Sequence, residues 1–424
     1  MKPFRQKPEL LSLMSNCRVL TSIIDHRPSI IQHRSSTIRS KPLTLPSTMN
    51  IAVNTRFLLS DTLEGYGYFL KEMLSRLVKN HPEHQFIFIF DRPYSQEFIN
   101  APNITAVVAG PPARHPLLWK WWYDVRIPRV LKKYQADVFL SCDGFCSLTT
   151  SVPQCLVVHD LAFLHYPSFI HRSHAIFYKR YTPKFLKKAA SLVTVSQFSK
   201  EDLVANYKID PSRIDVIYNA ARTSIQPLSW QEKQSVTHDI TSGKNYFIYV
   251  GAIHPRKNLV NLLKAFSIFK KRQKSDWKLV ITGRAAWQSK AFMDSLASYK
   301  YREDLVITGY VDDHKLSGLI GAAYAMVYPS LFEGFGMPVV ESMQAGVPVI
   351  TSANTAMQEI AGDAALYADP ASVEDIADKM MLMYKDESLH TRLAEKGKER
   401  AKLYDWDKSA ELLWKSVEKA VSKK

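Results

Sequence analysis

The sequence predicts an α/β protein made of two doubly wound, parallel-sheet domains. Three observations carry that expectation. A chain of 424 residues is long for one hydrophobic core and suits two. Short apolar runs such as FIFIF, CLVVH, SLVTV, YFIYV and AMVY alternate with amphipathic helical stretches, the pattern of a parallel sheet covered by helices on both faces. Glycine-bearing strand-to-helix turns occur in both halves, GYG at Gly65 to Gly67 and EGFGMP at Glu333 to Pro338, and such turns are where open α/β sheets bind ligands.

Composition narrows the class. With 46% apolar and 23% charged residues the chain has the makings of sizeable cores, and no apolar run approaches the ~20 residues of a spanning helix, so an integral membrane protein is not expected. The formal charge is +16, of which residues 1–48 hold +6 (eight Lys/Arg against Glu9 and Asp25) and the remainder +10. That moderately basic body suits an anionic small molecule or an anionic membrane face. No zinc-finger spacing or RNP-like signature is present, so nucleic acid is not expected as a partner. Cys17, Cys142, Cys146 and Cys155 lack metal-ligand spacing and read as reduced, buried thiols of a cytoplasmic protein, possible peripheral attachment to the inner face of the membrane aside.

Residues 1–48 are basic and rich in Ser and Pro, and a disordered extension is expected there. LLSLM is too broken for a secretory signal; an organellar targeting peptide and a start site placed too far upstream both stay open. MNIAVNTRFLL from Met49 reads as a buried first strand. The turn at Gly65 and Gly67 then opens a helix with Phe69, Met73, Leu74, Leu77 and Val78 on one stripe. Strands follow at Phe86 to Asp91 and Ile104 to Val108. In PLLWKWWYDVRIPRVLKKY, Trp119, Trp121 and Trp122 interleave with basic residues; the stretch reads either as a core helix with a solvated face or as a surface against anionic headgroups, and Pro128 is expected to kink or end it near Arg126. The strand at Asp137 to Leu140 leads to Asp143, and a second apolar strand delivers His159 and Asp160 to its carboxyl end, the crevice side of such a sheet. A helix is expected over 168–190, and Ser199 with Asp202 resembles an N-cap with a near capping box.

A polar connection over 222–245 opens the second half. YFIYVGAIHPRKN ends a buried strand at Gly251 and sets Arg256 and Lys257 at a helix start, where cations are unfavourable unless an anion is present. The stretch Pro329 to Ile350 places a glycine turn before a helix opened by Pro338 and closed by Gly346. Its unpaired N–H groups make an anion site, with a phosphate as the expected guest. Glu333 and Glu341 flank it and are better suited to hydroxyls than to phosphate, so a diphosphate between a sugar and a ribose fits.

EGFGMPVVE, together with the strand-end HDL and the PRKN segment, resembles the signature of retaining glycosyltransferases of family 4, with the two-domain GT-B fold. The resemblance covers nearly everything from Met49 onward. It implies two Rossmann-like domains facing across a cleft, at 49–224 on the acceptor side and 225–402 on the nucleotide-sugar side, with residues 403–424 forming a helix that crosses back to the first. It implies transfer of a hexosyl group of mannosyl or glucosyl type from a GDP- or UDP-linked sugar to a hydroxyl of a glycan or lipid-linked acceptor, in cell-surface polysaccharide synthesis, with no metal and no other cofactor. The implied catalytic set is His159, Arg256, Lys257 and Glu333. The implied donor contacts are Gly65, Gly67, Gly251, Arg256, Lys257, Gly334, Phe335, Gly336, Met337 and Glu341, with Glu333 on the sugar and Glu341 on the ribose; Asp143 and Asp160 fall on the acceptor side. The family often has glycine at Glu64 and at Ala220. The alternative reading is a nucleotide-sugar epimerase of the same fold, which would use the donor without an acceptor. A non-catalytic sugar-nucleotide binder is disfavoured because both glutamates and the Arg-Lys pair are intact.

Overall fold

The computed structural model describes residues 47–60, 63, 65–284 and 290–423. The first half contains β1 (Asn50–Asn54), α1 (Gly65–Asn80), β2 (Gln85–Phe90), β3 (Ile104–Val108), α2 (Pro116–Trp121), α3 (Ile127–Lys133), β4 (Val138–Ser141), β5 (Gln154–Val158), α4 (Ala162–His165), α5 (Arg172–Lys188), β6 (Ser191–Thr194), α6 (Gln197–Tyr207) and β7 (Ile214–Val216). The second contains α7 (Trp230–Thr241), β8 (Tyr246–Val250), α8 (Leu259–Gln273), β9 (Lys278–Thr282), α9 (Lys290–Ala297), β10 (Leu305–Gly309), α10 (Asp313–Gly321), β11 (Ala325–Tyr328), α11 (Met337–Gln344), β12 (Val349–Ser352), α12 (Ala356–Ala361), β13 (Ala365–Ala368), α13 (Val373–Lys385), α14 (Glu387–Ala401) and α15 (Trp406–Val421). The expected basic extension lies outside the described residues except for Ser47 and Thr48, as do Cys17 and Glu64.

Two parallel sheets result, ordered β3-β2-β1-β4-β5-β6-β7 and β10-β9-β8-β11-β12-β13. Strand order reverses between β1 and β4 in the first and between β8 and β11 in the second, which sets a ligand crevice beyond the carboxyl ends of those strands. β5 and β8 are buried at every position, because helices cover both faces and keep the side chains of these inner strands from water. On one face of the first sheet, α2, α3 and α5 enclose a core around Trp122, Phe139, Leu156 and Phe185. The other face is covered by α1 and α15, so the last helix crosses back to the first lobe, where the Trp406 indole N–H donates to Ala221 O at 2.9 Å.

Two open alternatives are decided and one local expectation, the cap of α6, is corrected. Pro128 does not end its helix: the chain continues from α2 through a π-helical turn, Trp122–Arg126, into α3. Proline cannot donate to the carbonyl four residues back, that of Asp124, and this oxygen instead accepts the Thr149 hydroxyl at 2.7 Å. Two of the three tryptophans are core anchors: Trp122 is fully buried and Trp119 nearly so, and their indole N–H groups donate to Ala109 O and Ala113 O, each at 2.7 Å. Trp121 alone is exposed. The cap of α6 is Ser196, whose hydroxyl accepts from Ser199 N at 3.0 Å, because Ser196 already has the extended backbone of a cap.

Burial of Trp122 is testable. Trp122→Ala is expected to lower the unfolding free energy by about 3–5 kcal/mol, whereas Trp121→Ala changes it by about 0.5 kcal/mol or less, measured by chemical denaturation.

Candidate functional site

The reversal points of both sheets open on one cavity of about 360 Å³. From the first lobe, the end of β5 delivers His159 and Asp160, and the start of α1 delivers Gly65 and Tyr66. From the second, the turn after β8 contributes Gly251, Arg256 and Lys257, and the turn after β11 contributes Glu333, Gly334, Phe335, Gly336 and Met337. Glu341, one turn into α11, completes that wall.

Glu333 is the electrostatic centre. Its Oε1 accepts from Lys257 Nζ at 2.6 Å and from the Ser330 hydroxyl, and its Oε2 lies 3.3 Å from Arg256 Nη1. Burial alone would push this carboxyl up, but Arg256 and Lys257 outweigh it and hold the pKa down to about 2. The same burial lowers Lys257, with Glu333 opposing. Arg256 also stands 3.7 Å from Asp160, so the two cations, expected to face an anion alone, already have carboxylate partners. Arg256 further donates to Phe332 O at 2.6 Å, which ties the turn after β8 to the turn after β11. Asn258, in the left-handed region, donates to Pro329 O at 3.0 Å and fixes the same pair of turns.

The lobes touch at the cavity. A Cβ on Gly334 would fall 2.1 Å from His159 O, so only glycine permits this approach. The Ser196 hydroxyl donates to Gly334 O at 2.6 Å. Gly336, at φ +96°, makes the left-handed turn into α11. Glu359 of α12 accepts from Gln197 N and Phe198 N at 2.8 and 2.7 Å, so a carboxylate of one lobe covers the amide end of the other lobe's α6.

His159 lies edge-on to Tyr66 and Phe69, with ring centroids 4.5 and 5.0 Å away. Its Nε2 is 2.9 Å from Cys142 O, which can only accept, so the proton sits on Nε2 and Nδ1 is an acceptor. Burial depresses its pKa to about 4.

Two expected site residues stand elsewhere. Asp143 is not on the cavity wall; its buried carboxylate accepts from Arg56 Nε at 2.7 Å, Asn54 Nδ2 at 2.8 Å and Tyr123 OH at 2.7 Å, a network that closes the β1–β4 junction from within. Gly67 also lies off the wall, and its missing side chain lets α1 approach Phe57 O, which a Cβ would meet at 2.5 Å. Sequence reasoning missed Tyr66, Asp313 and Arg222, all on the cavity wall, because nothing in their local sequence marks them. Glu341 is fully buried, pairs through Oε1 with Arg222, and leaves Oε2 without a partner among the described residues. His81, Glu83 and His84 form a metal-like group, yet His84 Nδ1 accepts from Met49 N at 3.2 Å, which puts its proton on the nitrogen facing Glu83, and His81 stacks on Trp414 at 3.7 Å; the group reads as packing.

Residues 64–224 match the family model described as Glycosyltransferase Family 4, and residues 231–400 match Glycosyl transferases group 1. O-antigen chain mannosyltransferase B of Escherichia coli is 30% identical over 251 residues, 59% of this chain and 66% of that one, just under two thirds of its length. O-antigen chain mannosyltransferase RfbU of Salmonella typhimurium is 28% identical over 276 residues, 64% of this chain and 72% of that one. Among solved structures, sucrose-phosphate synthase from Thermosynechococcus elongatus superposes with a TM-score of 0.73 at 15% identity, covering 89% of this chain and 100% of that one. Anabaena HepE in complex with UDP and glucose gives 0.68 at 13% identity, covering 87% and 99%. At such identities the likeness is one of fold, two Rossmann-like sheets in the GT-B arrangement.

The His159 environment predicts a pH dependence. A folded-state pKa near 4 against the usual 6.5 means that the unfolded chain binds the proton more readily, so this residue's contribution is complete above about 6.5 and is lost as pH falls towards 4, by roughly 3 kcal/mol in all. Denaturation of wild type and His159→Asn between pH 7 and 4 is expected to show a shallower acid loss in the variant.

Proposed function

Because the chain belongs to glycosyltransferase family 4, we propose that it moves a hexosyl group, of mannosyl or glucosyl type, from a GDP- or UDP-linked donor to a hydroxyl of a glycan or lipid-linked acceptor in cell-surface polysaccharide synthesis. The observation that carries this reading is the convergence of Arg256, Lys257, Glu333 and the α11 N-terminus on one cavity wall, opposite His159. The donor diphosphate lies against Arg256, Lys257 and the first N–H groups of α11, sharing the two cations with Glu333. Glu333 orients the sugar, and the orphan Oε2 of Glu341 accepts from the ribose. The bond between the anomeric carbon and the diphosphate oxygen breaks while the acceptor oxygen bonds to that carbon from the same face. The acceptor's proton passes to the departing phosphate, and the two cations stabilise the charge that develops there. Retention follows from that same-face attack, and the cations take the part that a metal ion plays elsewhere.

Melting temperature is expected to rise with either the GDP- or the UDP-sugar of a donor panel. Glu333→Ala is expected to lower transfer by about 100-fold or more while nucleoside diphosphate binding survives, and transfer is expected to continue in EDTA. Unchanged turnover in Glu333→Ala would refute this mechanism.

The partner surface is read from the first lobe. Leu117, Leu118, Trp121 and Ile176 are exposed on α2 and α5, neighbouring helices on one sheet face. Residues 114–133 and 172–188 carry six Lys/Arg each against Asp124 alone. Apolar side chains among cations fit an anionic bilayer, and both helices begin at the cleft end of the sheet, where a lipid-linked acceptor would arrive. The chain is expected to co-sediment with phosphatidylglycerol vesicles but not with phosphatidylcholine vesicles, and Leu117→Asp with Ile176→Asp to abolish this. Equal sedimentation of wild type and double variant would dismiss the surface.

A further inference from the structure

Arg222 occupies the point at which both lobes and the cavity meet. It follows β7 in the segment between the sheets, and its guanidinium lies 4.7 Å from the centre of the Tyr68 ring on α1. Nη1 pairs with Glu341 Oε1 on α11, and Nε is 3.2 Å from Asp313 Oδ1 at the start of α10. One side chain thus contacts a helix of the first lobe and two helices of the second. A fully buried carboxylate without a cation beside it loses its charge or its place, since water no longer supports it. Burial does push Glu341 up, and Arg222 is the group that opposes it, while Asp313 acts with the burial. Because Arg222 takes Oε1, Oε2 is the oxygen of this carboxylate left without a hydrogen-bond partner among the described residues.

We propose that Arg222 is the positioning residue for ribose recognition: anchored on Tyr68 and Asp313, it holds the Glu341 carboxylate so that one oxygen is offered to the sugar hydroxyls of the donor nucleotide. This rests on the donor-site reading above and adds to it a residue outside the strand-end turns. The guanidinium matters, because a lysine ammonium is one point charge and cannot hydrogen-bond Glu341 through one nitrogen while a second nitrogen stays at ion-pair distance from Asp313 beside the Tyr68 ring.

The test compares GDP and UDP with their 2′,3′-dideoxy forms by calorimetry on the full chain. Wild type is expected to prefer the ribonucleotide by about tenfold or more, since a buried acceptor left unpaired penalises the analogue. Arg222→Met is expected to bring that ratio to within about twofold of unity through weaker ribonucleotide binding, with affinity for the dideoxy form altered by less than about threefold; Arg222→Lys falls between. A ratio unchanged in Arg222→Met overturns the assignment. A parallel loss of both affinities also overturns it, because that is the mark of a general structural role. Wild type binding neither nucleotide would instead overturn the donor-site reading, and this inference with it.

Discussion

A carboxylate buried at the end of a strand needs a partner, and in this protein that need organises the cleft. Glu333 stays ionised because Arg256 and Lys257, delivered by the turn after the neighbouring strand, stand within reach. The constraint runs both ways: two part-buried cations so close together would be costly without Glu333 between them. The turns after β8 and β11 are therefore fixed to each other by charge, and the Asn258 and Arg256 contacts to backbone carbonyls add direction. Their alignment follows from β8 and β11 being adjacent at the reversal point of the sheet.

A second cluster on the same cavity wall repeats the logic with Arg222, Glu341 and Asp313. The two clusters differ in completeness. Glu333 has donors on both oxygens, whereas Glu341 has one oxygen without a partner among the described residues. Buried polar atoms without partners are uncommon, and on a cavity wall such an atom marks where a ligand's hydrogen bond belongs. Between the clusters, the Gly334 contact and the Glu359 cap bring the two lobes together.

Much of this was readable from local sequence. The strand-helix alternation, the turns at Gly251 and Gly334 to Gly336, and the approach of His159 and Asp160 to the crevice follow from apolar runs ending in polar or glycine residues, since strand ends and crevice coincide in a parallel sheet. What was not readable depended on distance in sequence. Asp143 ends its strand as His159 does, but Arg56, 87 residues earlier, draws it inward. Arg222 sits in a polar connection with no periodicity, and only the fold brings Tyr68, Asp313 and Glu341 around it. The tryptophan helix could not be decided from composition, because the π turn before Pro128 alters which residues share a face.

The contact between Gly334 and His159 has an implication for how the halves come together. Main chain meets main chain there without an intervening side chain, so the spacing of the jaws is set by a rigid stop and not by compressible packing. Any larger residue at position 334 would act as a shim: each lobe could keep its own shape, while the cavity between them would be held too wide.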